Sequence, residues 1–107
     1  MKRDVFYAIA DPTRRAILQL LAAQAMTPNA IATHFNTTRQ AISKHIQVLA
    51  ECGLLRQQQN GREIYYYINA EEMKELDNWL AQFRAVLNKR LNQLENLLKK
   101  LKHKNHD

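Results

Sequence analysis

Thr38-Arg39-Gln40-Ala41-Ile42-Ser43-Lys44-His45-Ile46-Gln47-Val48-Leu49-Ala50-Glu51-Cys52-Gly53 is the stretch that decides how this chain folds. Ile42, Ile46 and Leu49 recur at helical spacing, Thr38 stands where a helix N-cap belongs, and Gly53 sits where a helix commonly ends in the left-handed conformation. With that stripe turned inward, Arg39, Gln40, Ser43, Lys44 and Gln47 form one outward band, with Thr38 at its N-terminal tip. No carboxylate interrupts the band before Glu51. Arginine pairs with guanine O6 and N7, glutamine with adenine N6 and N7, serine with base edges or phosphate, and lysine neutralises phosphate. An ordinary solvated polar face is the plainer account of the same residues, so the flanks matter.

On the N-terminal side, Thr27-Pro28 gives a cap followed by a proline at the first helical position, opening a short helix with Ile31, Ala32 and Phe35 apolar. Asn36-Thr37 breaks it, so residues of about 27–53 read as a helix-turn-helix. Asp11-Pro12 repeats the cap signal for a helix with Ile17, Leu20 and Leu21 on one face, expected to run to about Gln24. Before it, Val5, Phe6, Ile9 and Ala10 mark a first short helix. On the C-terminal side, Leu54–Gln59 and Arg62–Ile68 flank Asn60-Gly61, a hairpin signal. Its second arm alternates Ile64, Tyr66 and Ile68 inward against Glu63, Tyr65 and Tyr67 outward. Arg56 and Arg62 carry the positive strip onto this ribbon, which lowers the standing of the solvated-face account. The expected fold is mainly α with a two-stranded β-hairpin wing at about 54–68, a winged helix-turn-helix spanning residues 1–107 as one domain.

Residues from Glu71 to about Lys102 hold neither Gly nor Pro and read as one helix, about 48 Å long at 1.5 Å per residue. Met73, Leu76, Leu80, Phe83, Leu87, Leu91, Leu94, Leu98 and Leu101 form a heptad seam with one extra step of four between Phe83 and Leu91. A partner chain is the economical cover for it, with help from Phe6 and Ile9; a single-chain fold covering only the first half is the alternative.

Among 107 residues there are 16 Lys+Arg and 10 Asp+Glu, a net charge of +6, so a polyanionic partner is favoured. The basic end with Lys99, Lys100, Lys102 and Lys104 is also a solvated helix terminus complementing the dipole. Gly53 and Gly61, the two glycines, follow no phosphate-cradling spacing. Ser43, the one serine, has no triad geometry with His45 two residues away, so an enzyme is excluded on inventory. No apolar run approaches a membrane span, no leader is seen, and one cysteine allows no internal disulfide, so a cytoplasmic protein with no membrane partner is expected.

Asp11-Pro12-Thr13-Arg14-Arg15-Ala16-Ile17-Leu18, Ala30-Ile31-Ala32-Thr33-His34-Phe35, the stretch from Thr38 to Ile46, and Gly61-Arg62-Glu63-Ile64-Tyr65-Tyr66-Tyr67 together resemble the ArsR family of winged-helix repressors over residues of about 3–80. The ending Arg90-Leu91-x-x-Leu94-Glu95-x-x-Leu98 resembles a metal-independent subgroup with a lengthened last helix. The resemblance implies a homodimer packed through its first and last helices that represses its own operon by binding an inverted repeat in double-stranded DNA. It maps Thr38, Arg39, Gln40, Ser43 and Lys44 to base and phosphate contacts and Arg62 to the wing tip.

Soft-metal sensing of the kind some members perform needs thiolates on the third helix, and Pro28–Phe35 has none; Glu71–Lys102 has no His. His103-x-x-His106-Asp107 has ligand types at close spacing but lies at the chain end among lysines. Neither cofactor nor metal is expected. His34 and His45 read as packed or solvated, and Cys52 as a small buried residue, with a redox role as the alternative. Arg14 and Arg15 lie in a first helical turn, where the dipole disfavours cations, and read equally as partners of Asp4 or Asp11 and as flanking phosphate contacts. A protein-interaction module working through the long helix is the rival function; the carboxylate-free donor band is what such a module has no need of.

Overall fold

A computed structural model describes residues 4–104. Chain order is α1 (Val5–Ile9), α2 (Pro12–Leu21), α3 (Pro28–Ala32), α4 (Arg39–Glu51), β1 (Leu55–Asn60), β2 (Glu63–Ile68) and α5 (Ala70–Lys104). Each of the first four helices starts at a side-chain oxygen that accepts from an otherwise orphaned amide: Asp4 from Phe6 N, Asp11 from Thr13 N and Arg14 N, Thr27 from Ala30 N, and Thr38 from Ala41 N. Pro12 and Pro28 open α2 and α3, where a missing N–H costs nothing. The end of α4 is equally determined. Gly53 has φ of 83°, its N–H donates to Ala50 O, and Leu54 N–H donates to Leu49 O, closing a Schellman turn between two fully buried leucines.

Ile17, Ile31, Ile42, Leu49, Cys52 and Leu54 are buried completely, and Val5, Ile9, Phe35, Tyr66, Ile68 and Met73 pack against that core. α2 stops at Leu21 instead of reaching Gln24. The chain must straighten so that Met26 can pair with Tyr66, through Met26 N–H to Tyr66 O at 3.0 Å and Tyr66 N–H to Met26 O at 2.8 Å. This short bridge occupies the outer edge of β2, and tertiary hydrogen bonding overrides local helix preference there.

The hairpin differs from expectation by one residue. Asn60 pairs with Glu63, so Gly61 and Arg62 are the two turn residues. Positive φ falls on Gly61, at 66°, and not on Arg62, the sign pattern of a type II′ turn. Ile64, expected inward, is exposed: it lies one pair from the tip, beyond the reach of the helices. Tyr66 and Ile68 do face the core, while Tyr65 and Tyr67, expected outward, are half-buried. Asn69 fastens the hairpin exit, its Nδ2 donating to Gly53 O at 2.9 Å and its Oδ1 accepting from Glu71 N at the start of α5.

Residues up to Met73 form one compact unit and those from Lys74 onward a second, the continuation of α5. In the second, Arg84 donates to Asp77 Oδ1 at 2.6 Å and the Trp79 and Phe83 rings lie 4.7 Å apart. Leu80, Phe83, Leu87, Leu91, Leu94, Leu98 and Leu101 are 44–57% exposed, and Leu76 is half-buried.

Candidate nucleic-acid interface

α4 follows α3 after a short break, and the inward stripe Ile42, Ile46 and Leu49 is buried as the spacing requires. That burial fixes the rotation of the helix. Arg39, Gln40, Lys44 and Gln47 are exposed along its outer face, Ser43 is half-buried between them, and Thr38 is exposed at the N-terminus with its Oγ1 used as the cap. Ser43 and Gln47 also line an open cleft of ≈ 700 Å³ between α4 and the hairpin, shared with Arg56, Gln57 and Tyr67. Glu51 is the acid at its far end. Arg56 sits on β1 opposite Tyr67, with Glu71 Oε2 3.9 Å from its guanidinium, an exposed pair that leaves the cation reachable. Arg62 occupies the exposed hairpin turn. On Tyr65, the hydrogen bond from its hydroxyl to the Glu63 carboxylate raises the phenol pKa above its ordinary value. The donor band of the capped helix and the arginines of the ribbon are thus exposed, apart from the half-buried Ser43.

What sequence reasoning missed lies behind α4. Arg14 is buried, with Nε donating to Ala8 O at 2.7 Å, a terminal nitrogen donating to Tyr7 O at 3.1 Å, and the other 3.2 Å from His45 Nδ1. Its guanidinium also lies 5.2 Å from the Tyr7 ring centroid. Arg15 donates to Ile9 O. Both arginines therefore satisfy carbonyls at the C-terminal end of α1, where a cation is favoured, in place of the carboxylate or phosphate partners expected. The signal in the sequence was a pair of cations in an unfavourable first turn; their acceptors were invisible because only tertiary packing brings α1 there. Since a guanidinium only donates, His45 Nδ1 accepts and the ring carries its proton on Nε2. The contact ties the inner flank of α4 to α1 and α2. Asp11 Oδ1 stands 4.0 Å from the same ring nitrogen. Burial raises the Asp11 pKa, but hydrogen bonds from the Arg14 and Thr13 amides, helped by the Arg14 charge, outweigh it and hold the carboxyl below its ordinary value.

Among the described residues no three of His, Cys, Asp and Glu gather as a metal would require. Cys52 is buried with its thiol directed at Asp4 O, 3.4 Å away, and His34 is exposed just after α3. His106 and Asp107 lie outside the described residues. No described helix is long and apolar enough to cross a membrane.

A family model described as a helix-turn-helix domain matches residues 9–58. Transcriptional repressor SdpR of Bacillus subtilis (strain 168) is 40% identical over 80 residues, covering 75% of this chain and 89% of that repressor. The chain belongs to the ArsR family of winged helix-turn-helix transcriptional regulators. Solved ArsR structures agree with the architecture: the ArsR-like transcriptional regulator from Rhodococcus sp. RHA1 superimposes with a TM-score of 0.70 at 32% identity, covering 90% of this chain and 88% of that one. The homodimeric winged helix-turn-helix DNA-binding domain from Mycobacterium bovis, a possible ArsR-family regulator, does so with a TM-score of 0.60 at 30% identity, covering 79% and 76%. In this ArsR-family chain, α3 and α4 are accordingly the helix-turn-helix and β1–β2 the wing.

Proposed function

We propose that this ArsR-family chain is a homodimeric repressor that reads an inverted repeat in double-stranded DNA upstream of its own gene, as one winged helix-turn-helix domain per protomer and without a metal. The observation that carries the reading is the capped α4, whose outer face from Thr38 to Gln47 holds only neutral or cationic donors beside an arginine-bearing hairpin. Arg39 and Gln40 take base edges; Ser43, Lys44 and Gln47 share bases and phosphates; Arg56 and Arg62 take phosphates. The two α4 helices of a dimer then enter successive major grooves, about 34 Å apart on one face of the duplex. SdpR is named a repressor and the Mycobacterium bovis domain a homodimer, which supports both halves of the reading. With no Cys in Pro28–Phe35 and no His in Glu71–Lys102, repression should be indifferent to zinc, arsenite and chelator.

The test is a salt titration of binding to duplexes tiled across the region upstream of the coding sequence and to random duplex. Arg39→Ala or Gln40→Ala should cost roughly 1–3 kcal/mol per half-site and relax base preference. Lys44→Ala and Arg62→Ala should weaken binding to all duplexes alike and lower the slope of log K against log salt by about 0.9 for each phosphate no longer neutralised. Absence of duplex binding at low salt would hand the function to the interaction-module reading, with α5 as the working surface.

A further inference from the structure

The positive charge of the chain does not sit on the helix-turn-helix. Residues 78–104, all within α5, hold seven Lys+Arg and one acid, Glu95, so their net charge equals the +6 of the whole chain. Residues 1–73 hold eight Lys+Arg against six Asp+Glu, and two of those cations, Arg14 and Arg15, donate to the carbonyls of Tyr7, Ala8 and Ile9. What attracts a polyanion is therefore concentrated on α5. We propose that one face of α5 is a second, sequence-independent contact for the phosphate backbone of double-stranded DNA. It goes beyond the α4 reading and does not rest on it.

Helical spacing selects the face. Lys89, Asn92, Asn96, Lys99 and His103 follow one another by alternate steps of three and four, which keeps them in one line along the helix, opposite the apolar seam. Gln93 and Lys100 stand beside that line, and all seven side chains are exposed. Glu95 projects elsewhere: it shares a flank with Arg84 and Lys102, since eleven and seven residues are near-whole numbers of turns. The face thus carries only amides and cations over about 21 Å, enough to run beside roughly six base pairs.

The plainer accounts of these cations cover only part of them. Complementing the helix dipole explains Lys102, His103 and Lys104 in the last turn, but the effect dies away within that turn and Lys89 lies about four turns upstream. In a helix lying on a membrane, useful cations border the apolar face and reach back to the headgroups. Lys89 and Lys99 stand opposite the seam and would point away from a bilayer. A duplex suits them better. It offers an unbroken row of charges to a straight row of lysines, and the amides of Asn92, Gln93 and Asn96 between them supply hydrogen bonds to phosphate and sugar oxygens. No arginine stands on the line, and lysines act on phosphate as point charges, so the contact adds affinity without reading sequence.

The experiment compares two double variants of the full chain by salt titration against random-sequence duplex. Lys89→Gln with Lys100→Gln removes two cations from the face and leaves the seam untouched; Arg84→Gln with Lys102→Gln removes as much charge from the flank. The face double should lower the slope of log K against log salt by about 1.8, and affinity near 0.1 M salt by roughly ten-fold or more. The flank double should change the slope by less than about 0.5. An equal fall for both doubles overturns the proposal, because net charge and not this face would then be at work. An unchanged slope for the face double also overturns it, and if that double has lost binding to anionic phospholipid vesicles, the face belongs to a membrane instead. Arg39→Ala, titrated on the same upstream and random duplexes, separates the failures. Should preference for the upstream duplex survive Arg39→Ala while the face double lowers the slope, the α4 reading falls and this one stands; the converse result keeps the α4 reading alone.

Discussion

Arg14 uses its charge inside the molecule, and that choice has a measurable consequence. Its planar fork serves Tyr7 O, Ala8 O and the His45 ring at once, three directions that a lysine ammonium on its flexible stem does not match. Arg14→Met should lower unfolding free energy by about 2–4 kcal/mol in denaturant titrations, because it strands buried carbonyls, and Arg14→Lys should recover less than half of that. A loss below about 0.5 kcal/mol for Arg14→Met would refute the assignment. Asp11 acts on the same cluster through pH. Its pKa is lower folded than unfolded, so its stabilisation is full above the unfolded value, about 4, and is lost as pH falls through the folded one. Asp11→Ala should therefore cost about 1 kcal/mol at neutral pH, and the gap to the unsubstituted chain should narrow as unfolding is measured at successively lower pH below about 4.

Among the elements, those closed by local chemistry were legible in the sequence and those set by tertiary pairing were not. α4 was readable end to end because Thr38 caps it, the Ile42–Ile46–Leu49 stripe rotates it and Gly53 stops it, all within one stretch of chain. The donor band follows from that rotation, so most of the candidate site was readable too. The end of α2 was not, because the bridge between Met26 and Tyr66 joins residues forty positions apart. The hairpin turn moved by one residue because a glycine serves both type I′, after asparagine, and type II′, as first turn residue; the pairing of Asn60 with Glu63 selects the second. Gly53 gives the sharper test of local closure. At φ of 83° any side chain is strained, so Gly53→Ala should destabilise the protein by about 1–2 kcal/mol in thermal or denaturant unfolding, and an unchanged midpoint would show that the Schellman turn does not fix the end of α4.

For the molecule as a whole, the question is whether the apolar face of α5 and the donor band of α4 serve one purpose. Residues up to Met73 bury their own core, so that unit has what it needs to stay folded when α5 is altered further along. Leu87 and Leu91 belong to the second unit and are half-exposed in the single chain. Replacing both by Asp should consequently leave the cooperative unfolding of the winged unit in place while placing four carboxylates at the centre of any self-association. Sedimentation should then report monomer. DNA binding should weaken much further than removal of one DNA-facing side chain explains, because two linked half-sites bind with an effective concentration that separate monomers lack; about 10²- to 10⁴-fold is the expected range for an upstream inverted repeat. Binding to random duplex at low salt, which needs only the cationic surface of one protomer, should change far less. A double variant that remains dimeric would remove α5 from the interface, and a monomer that still binds the repeat with full affinity would remove dimerisation from the recognition mechanism.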